Sequence, residues 1–222
     1  SNLFLKDTLD GFKDSSTFRA FSAKDGLLWI ASEGSIYTVD FTSTVIPFTF
    51  LNFPASAFYF EEEKKNIWIL TDSGMIRRNR LNNQQKVFRH DPRDANSLSD
   101  FSVFDLKGDG EGNIWIATHN TGLEKFNIRT EQFTHIRHDK NNPASLVNDS
   151  SHALFFDRQH FLWIGTHNGL SRMDTKNGKC TNYVNDPADS PSIGKGHINS
   201  IVQDKKARIW VGNDEDMFVL DS

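Results

Sequence analysis

The sequence predicts an all-β fold made of repeated four-stranded antiparallel units, and three observations carry that prediction. All five tryptophans of the 222-residue chain stand in one context: Leu28-Trp29-Ile30, Ile67-Trp68-Ile69, Ile114-Trp115-Ile116, Leu162-Trp163-Ile164 and Ile209-Trp210-Val211, at spacings of 39, 47, 48 and 47. Gly, Asn and Asp interrupt every apolar run after five to eight residues, and no segment sustains a helical period. The connections between units keep register too. His90-Asp91, His138-Asp139 and Asn185-Asp186 begin 25 residues before the next tryptophan, and Ser97-Leu98, Ser145-Leu146 and Ser192-Ile193 begin 18 before it.

Within the third unit the β-rich runs are Phe101 to Lys107, Ile114 to Thr118, Leu123 to Ile128 and Gln132 to Arg137, here called strands A to D. Four short antiparallel strands per repeat of this length is the sequence form of a β-propeller blade, because helical repeats of similar length need a 3.6 period. The chain is therefore expected to hold five blades in a single propeller domain, either whole or cut from a larger ring. The repeats fall near residues 16–53, 54–91, 101–139, 149–186 and 196–222. After Trp210 only 12 residues remain, enough for strand C at Met217 to Leu220 and too few for strand D. Phe4 lies 25 residues before Trp29, so Leu3 to Leu5, within residues 1–10, reads as the strand that closes the last blade if the ring closes at five, and as part of an absent blade if the chain is cut from a larger ring.

Composition narrows the function. With 25 Lys+Arg against 29 Asp+Glu the chain lacks the positive excess that phosphate backbones attract, so nucleic acid is not an expected partner. The longest apolar runs are short, as at Ile67 to Leu70, and no membrane contact is expected within the segment. One cysteine, Cys180, excludes an internal disulfide framework and a thiolate zinc site. The start at Ser1-Asn2, without methionine or signal peptide, reads as a piece whose targeting signal has been removed.

Most regular features read as scaffold. Trp29, Trp68, Trp115, Trp163 and Trp210 sit between aliphatic residues in strand B, where an indole packs between neighbouring blades. An acid recurs six residues earlier at Glu62, Asp109, Asp157 and Asp204, placed to accept backbone N–H bonds in the A–B turn. Asp109-Gly110-Glu111-Gly112-Asn113 alternates oxygen donors without the ligand set of a calcium loop, and its glycines precede a strand rather than the helix of a phosphate cradle.

Antiparallel order puts the B–C turns and the D–A connections on one face. That face collects the ligand-binding candidates Asp72, His119, Asn120, His167, Asn168 and Asn213, with Asp214 beside the last. His90 and His138 fit the exit of strand D on the same side. There is no Gly-x-Ser-x-Gly elbow, no reactive-thiol context around Cys180 and no helical His pair, and the acids obey the repeat. No catalytic residue, metal or cofactor is expected.

The string Leu162-Trp163-Ile164-Gly165-Thr166-His167-Asn168-Gly169-Leu170-Ser171-Arg172-Met173-Asp174 closely resembles the two-component regulator propeller repeat, as does Asp109 to Leu123. The linker His90-Asp91-Pro92-Arg93-Asp94-Ala95-Asn96-Ser97-Leu98-Ser99 is similar to the connection in hybrid histidine kinase sensors of polysaccharide-degrading gut anaerobes. The resemblance implies a ring of seven blades, of which this chain would be a fragment, and a periplasmic sensor module that detects or relays a glycan signal to a cytoplasmic kinase in the rest of the receptor chain; an oligosaccharide ligand and a homodimer are the further partners considered. No kinase motif lies in this chain. Two other classes stay open: a propeller-fold polysaccharide lyase or glycoside hydrolase, and an architectural dimerisation segment with no ligand of its own.

Overall fold

The computed structural model describes residues 18–24, 27–32, 35–40, 45–48, 55–61, 65–71, 74–79, 81–186 and 192–220, with side chains from residue 57 onward. Every regular element among these residues is a strand, and no helix long and apolar enough to cross a membrane occurs among them. The chain divides into two compact units, residues 1–87 and 88–222.

The first unit carries two sheets. One is formed by β1 (Phe18–Lys24), β2 (Leu27–Ser32), β3 (Ser35–Asp40) and β4 (Val45–Phe48); the next by β5 (Ala55–Glu61), β6 (Asn66–Thr71), β7 (Gly74–Asn79) and β8 (Gln85–Phe88). The second unit carries three. They comprise β9 (Val103–Gly108), β10 (Asn113–Thr118), β11 (Leu123–Asn127) and β12 (Gln132–Ile136); then β13 (Ser151–Phe156), β14 (Leu162–Thr166), β15 (Gly169–Met173) and β16 (Cys180–Tyr183); and finally β17 (Ser200–Gln203), β18 (Ile209–Gly212) and β19 (Met217–Leu220). Strands neighbour one another in chain order in every sheet, which is the up-and-down blade of a β-propeller. The last blade has three strands among the described residues, its strand C at Met217–Leu220 as expected. Leu3 to Leu5, the expected closing strand, lies outside the described residues.

The turns explain why the chain reverses where it does. Three residues before the tryptophan, Lys65, Gly112, His160 and Ala207 all take positive φ, a costly conformation for the three that are not glycine. In the third, fourth and fifth blades an aspartate holds the turn there. Asp157 Oδ1 accepts the N–H groups of Gln159 (2.9 Å) and Phe161 (3.0 Å), and Asp109 and Asp204 repeat the pattern on Glu111 and Asn113, and on Lys206 and Arg208. The second carboxylate oxygen takes the indole N–H: Trp115 to Asp109 at 3.2 Å, Trp163 to Asp157 at 2.8 Å and Trp210 to Asp204 at 3.0 Å. In the second blade Glu61 does this for Trp68 from one residue further away, its longer side chain making up the distance. Glu62 lies outside the described residues. In the B–C turn Gly122 combines φ +86° with a close approach, since a Cβ there would lie 2.2 Å from the Ile136 carbonyl oxygen.

With its polar atom bonded, the indole is buried as core. Trp68, Trp115 and Trp163 are buried and Trp210 is half-buried. Trp115 packs with Leu154, Leu162 and Ile164 of the next blade, and Trp163 with Ile198, Ile209 and Val211 of the one after. A cation from the facing strand covers the ring: Arg77 over Trp68, Lys125 over Trp115 and Arg172 over Trp163, at 5.6, 5.1 and 5.5 Å from the ring centroids. These pairs are directly opposite in the sheet.

The linkers are clasped from within. Ser97, Ser145 and Ser192 accept the N–H of Asp91, Asp139 and Asp186 at 2.9, 2.9 and 3.0 Å, while Leu98, Leu146 and Ile193 bury their side chains. This clasp is what the regular spacing of those residues encodes, and it sets where the following strand A begins.

Candidate functional site

Strand A enters its sheet through a bulge. In β9 the partners of Ala117 and Thr118 are Asp105 and Val103, so Phe104 has no opposite residue; in β13 the register likewise skips His152 between Ser151 and Ala153. A bulge turns the extra side chain out of the strand's alternation. Phe104 and His152 each lie 11 residues before their blade's tryptophan, a place taken by Asn199 ahead of Trp210.

The B–C turns add a second row: His119, His167 and Asp214, each four residues after its tryptophan. The N–H of His119 donates to the Ser102 carbonyl (3.0 Å) and that of His167 to the Ser150 carbonyl (2.9 Å), pinning each turn to the entry of the same blade's strand A. The linkers reach the same face, as Gly122 N–H donates to the Asp149 carbonyl at 2.7 Å.

The two rows meet at His197, 13 residues before Trp210, where earlier blades carry Ser102 and Ser150. Ring centroids run from Phe104 to His152 at 4.6 Å, His152 to His197 at 5.2 Å and His197 to His167 at 3.8 Å; His119 lies 5.5 Å from Phe104 and 6.3 Å from His152. Asp214 closes the row. Its Oδ1 accepts from Asn199 Nδ2 at 2.6 Å and its Oδ2 from the His197 N–H at 3.4 Å. A cleft of about 590 Å³ opens there, lined by His167, Asn168, Asn185, Lys195, His197 and Asp214 among others.

Crowding sets the charge of this cluster. Burial, followed by the like charges of His197, His119 and His167, pushes His152 down to about 4, with Asp214 pulling the other way. The Asn199 hydrogen bond, aided by the His197 N–H and the charges of His197 and His152, holds the Asp214 carboxyl below its ordinary range. At neutral pH His152 is an uncharged imidazole, able to offer a lone pair or a single N–H.

The sequence candidates divide. His119, His167 and Asn168 come together here, and Asn120 follows His119 with its N–H on Asp100 Oδ2 at 3.2 Å. Asn213 is spent on its turn, since Nδ2 donates to the Lys195 carbonyl (2.6 Å) and Oδ1 accepts from Glu215 and Asp216. His90 and His138 lie elsewhere: each ring's Nδ1 is bonded to a linker carbonyl, Leu98 at 2.7 Å and Leu146 at 2.6 Å. Asp72 lies outside the described residues. Phe104, His152, His197 and Asn199 are the members that reading for regularity missed, because they stand where successive blades differ.

Residues 145–168 match the family model described as two component regulator propeller. That stretch runs from the linker clasp through β13 and β14 to the B–C turn, so it includes His152 and His167. No curated protein matches the chain. Among solved structures, it is similar to the extracellular domain of the hybrid two component system BT4673 from B. thetaiotaomicron, with TM-score 0.71, 19% identity, and coverage of 93% of this chain and 26% of that one. The extracellular domain of hybrid two component system BT3049 from the same organism gives TM-score 0.56 and 19% identity over 92% of this chain and 33% of that one. The WD40 β-propeller domain of Doa1 gives TM-score 0.64 and 12% identity over 90% and 61%. The chain thus spans about a quarter to a third of the length of the two receptor domains.

Proposed function

We propose that this propeller is an extracytoplasmic sensing module of a two-component receptor, periplasmic in location, which detects or relays a glycan signal to a cytoplasmic kinase carried by the rest of the receptor chain. It does no catalysis of its own. The observation that carries the reading is that the regulator-propeller match at residues 145–168 falls on the segment that supplies His167 and Asn168 to the cleft and sets His152 against His197 in its wall. The fold likeness to two extracellular receptor domains supports it.

The chemistry of the cleft suits a sugar. Asn168, Asn185, Lys195 and Asp214 offer hydrogen-bond donors and acceptors, and beyond His152 the exposed ring of Phe104, with His119 and His152 tilted against it, offers an apolar surface for one side of a pyranose. The described cleft of the first unit, about 540 Å³, is less suited, because Asn66 and Asn79 in its lining are bonded to Glu61 and to the following turn. Residues 1–222 act in this reading as one propeller domain, or a piece of a larger one, in a receptor that works as a homodimer.

A glycan array probed with the purified chain, followed by calorimetry on any hit, tests the proposal. Binding to a defined oligosaccharide, weakened at least about tenfold by Asp214→Ala, is the expected result. Turnover of a polysaccharide that Asp214→Ala abolishes would make the chain an enzyme. No binding, with an intact dimer in ultracentrifugation, would make it an architectural segment.

A further inference from the structure

We propose that His152, His167 and His197 form a binding site for one divalent transition-metal cation of borderline softness, with zinc the best fit. The inference does not rest on the sensor reading.

Three side chains from two blades bring nitrogen ligand atoms within 4.8 Å of one another. A tetrahedral zinc site with bonds of about 2.0–2.1 Å needs nitrogens roughly 3.3 Å apart, so the widest pair must close by about 1.5 Å. The side chains that must move are free to do so: His167 is exposed on a turn and His197 is half-buried. The third is already oriented. His152 Nε2 is hydrogen-bonded to Ser150 Oγ at 3.2 Å, an outer partner of the kind that fixes the ring of a metal-binding histidine.

The other histidines show what a structural role looks like in this fold. His90, His135 and His138 each bond a ring nitrogen to a backbone carbonyl, at 2.7, 2.8 and 2.6 Å. The rings of His167 and His197 have no hydrogen-bond partner among the described residues, yet their centroids are 3.8 Å apart. Two neutral imidazoles this close can turn their lone pairs toward one shared cation. His152 and His197 also break the repeat, standing where neighbouring blades have Phe104 and Asn199, and Ser102 and Ser150. A turn or packing role would recur from blade to blade.

Donor chemistry selects the ion. Three imidazoles suit zinc, copper, nickel or cobalt, whereas calcium and magnesium take oxygens. Asp214, on the His197 backbone N–H, adds negative charge beside the site. Three protein ligands leave a fourth position, open to the cleft, for water or a ligand oxygen.

Equilibrium dialysis of the tag-free 222-residue chain against zinc sulfate, with metal counted by mass spectrometry, tests this. One zinc per chain is expected. His167→Asn and His197→Asn should each weaken binding at least about tenfold, and His152→Asn with His197→Asn about a hundredfold or more. His160→Asn, a change at a positive-φ turn position that asparagine accepts, should leave binding unchanged. Zinc that fails to bind stoichiometrically would overturn the proposal. So would binding that His167→Asn leaves intact in a chain with unaltered near-UV circular dichroism, or binding for which magnesium competes on equal terms.

Discussion

Each side chain of the acid–tryptophan pair answers a need of the other. An aspartate at the start of a hairpin satisfies two turn N–H groups with one oxygen, and its second oxygen allows an indole to be buried with its N–H bonded. Arg172 adds a cation near the same carboxylate, its Nε 3.7 Å from Asp157 Oδ2. Asp157→Ala leaves three donors unpaired, and we expect a loss of about 3 kcal/mol in urea unfolding; Asp157→Asn, which keeps an acceptor for the turn, should cost about 1 kcal/mol. The position of the acid is legible in sequence because the job recurs in each blade. Its bond to the indole is not, since only the twist of the hairpin brings Nε1 back over the turn.

His152 is the side chain whose burial pH should reveal. The unfolded chain takes up a proton near the ordinary value of about 6.5, while the folded chain resists until about 4. Folding stability therefore falls as pH drops between those values and levels off below. The groups facing His152 are His119, His197 and His167, which hold it down, and Asp214, which opposes them. Urea midpoints measured with a chelator at pH 7.5 and 4.5 should differ less in His152→Asn than in the unaltered chain. After allowance for solvent screening the difference is on the order of 1 kcal/mol.

At the scale of elements, the seams between blades decide both stability and site geometry. β14 approaches the entry of the last blade so closely that a Cβ at Gly165 would lie 2.6 Å from Ile198 Cγ2 and 2.7 Å from the Ile198 carbonyl oxygen. The Ile198 N–H donates to the Thr166 carbonyl at 3.1 Å, so the two elements cannot separate without losing that bond. Gly165→Ala should cost about 2 kcal/mol by overpacking, seen as a lowered thermal midpoint. It should also weaken ligand binding in the cleft, because His197 precedes Ile198. Strands and turns of this kind were readable from spacing. The bulges at Phe104 and His152 were not, since a bulge leaves no fixed residue type and shows only when register is traced across the pair.

The blades of the second unit differ in how fully they are covered. β10 is buried except at its first residue and β14 is buried throughout, whereas β17 and β19 alternate with exposed positions such as Val202, Met217 and Val219. In a repeat architecture stability is close to a sum of unit and neighbour terms. Amide exchange should therefore be slowest in β10 and β14 and faster in β17 and β19; equal protection across all four would contradict this picture. A repeat can be found by self-similarity, but a site that assembles residues as far apart as Phe104 and His197 from positions where the repeat fails requires the fold. The sequence candidates His119, His167 and Asn168 belong to the cluster because the turn that carries them recurs; His152 and His197 belong to it because two positions changed.

If ligand recognition sits on the face where His119, His152, His167 and His197 gather, the chain's eight histidines supply their own control. Side-chain imidazole resonances of isotope-labelled protein, followed as an array-selected oligosaccharide is added, test it most directly. Shifts are expected at those four histidines and none at His90, His135, His138 and His160. Shifts confined to the second group, or none at saturating sugar, would contradict it.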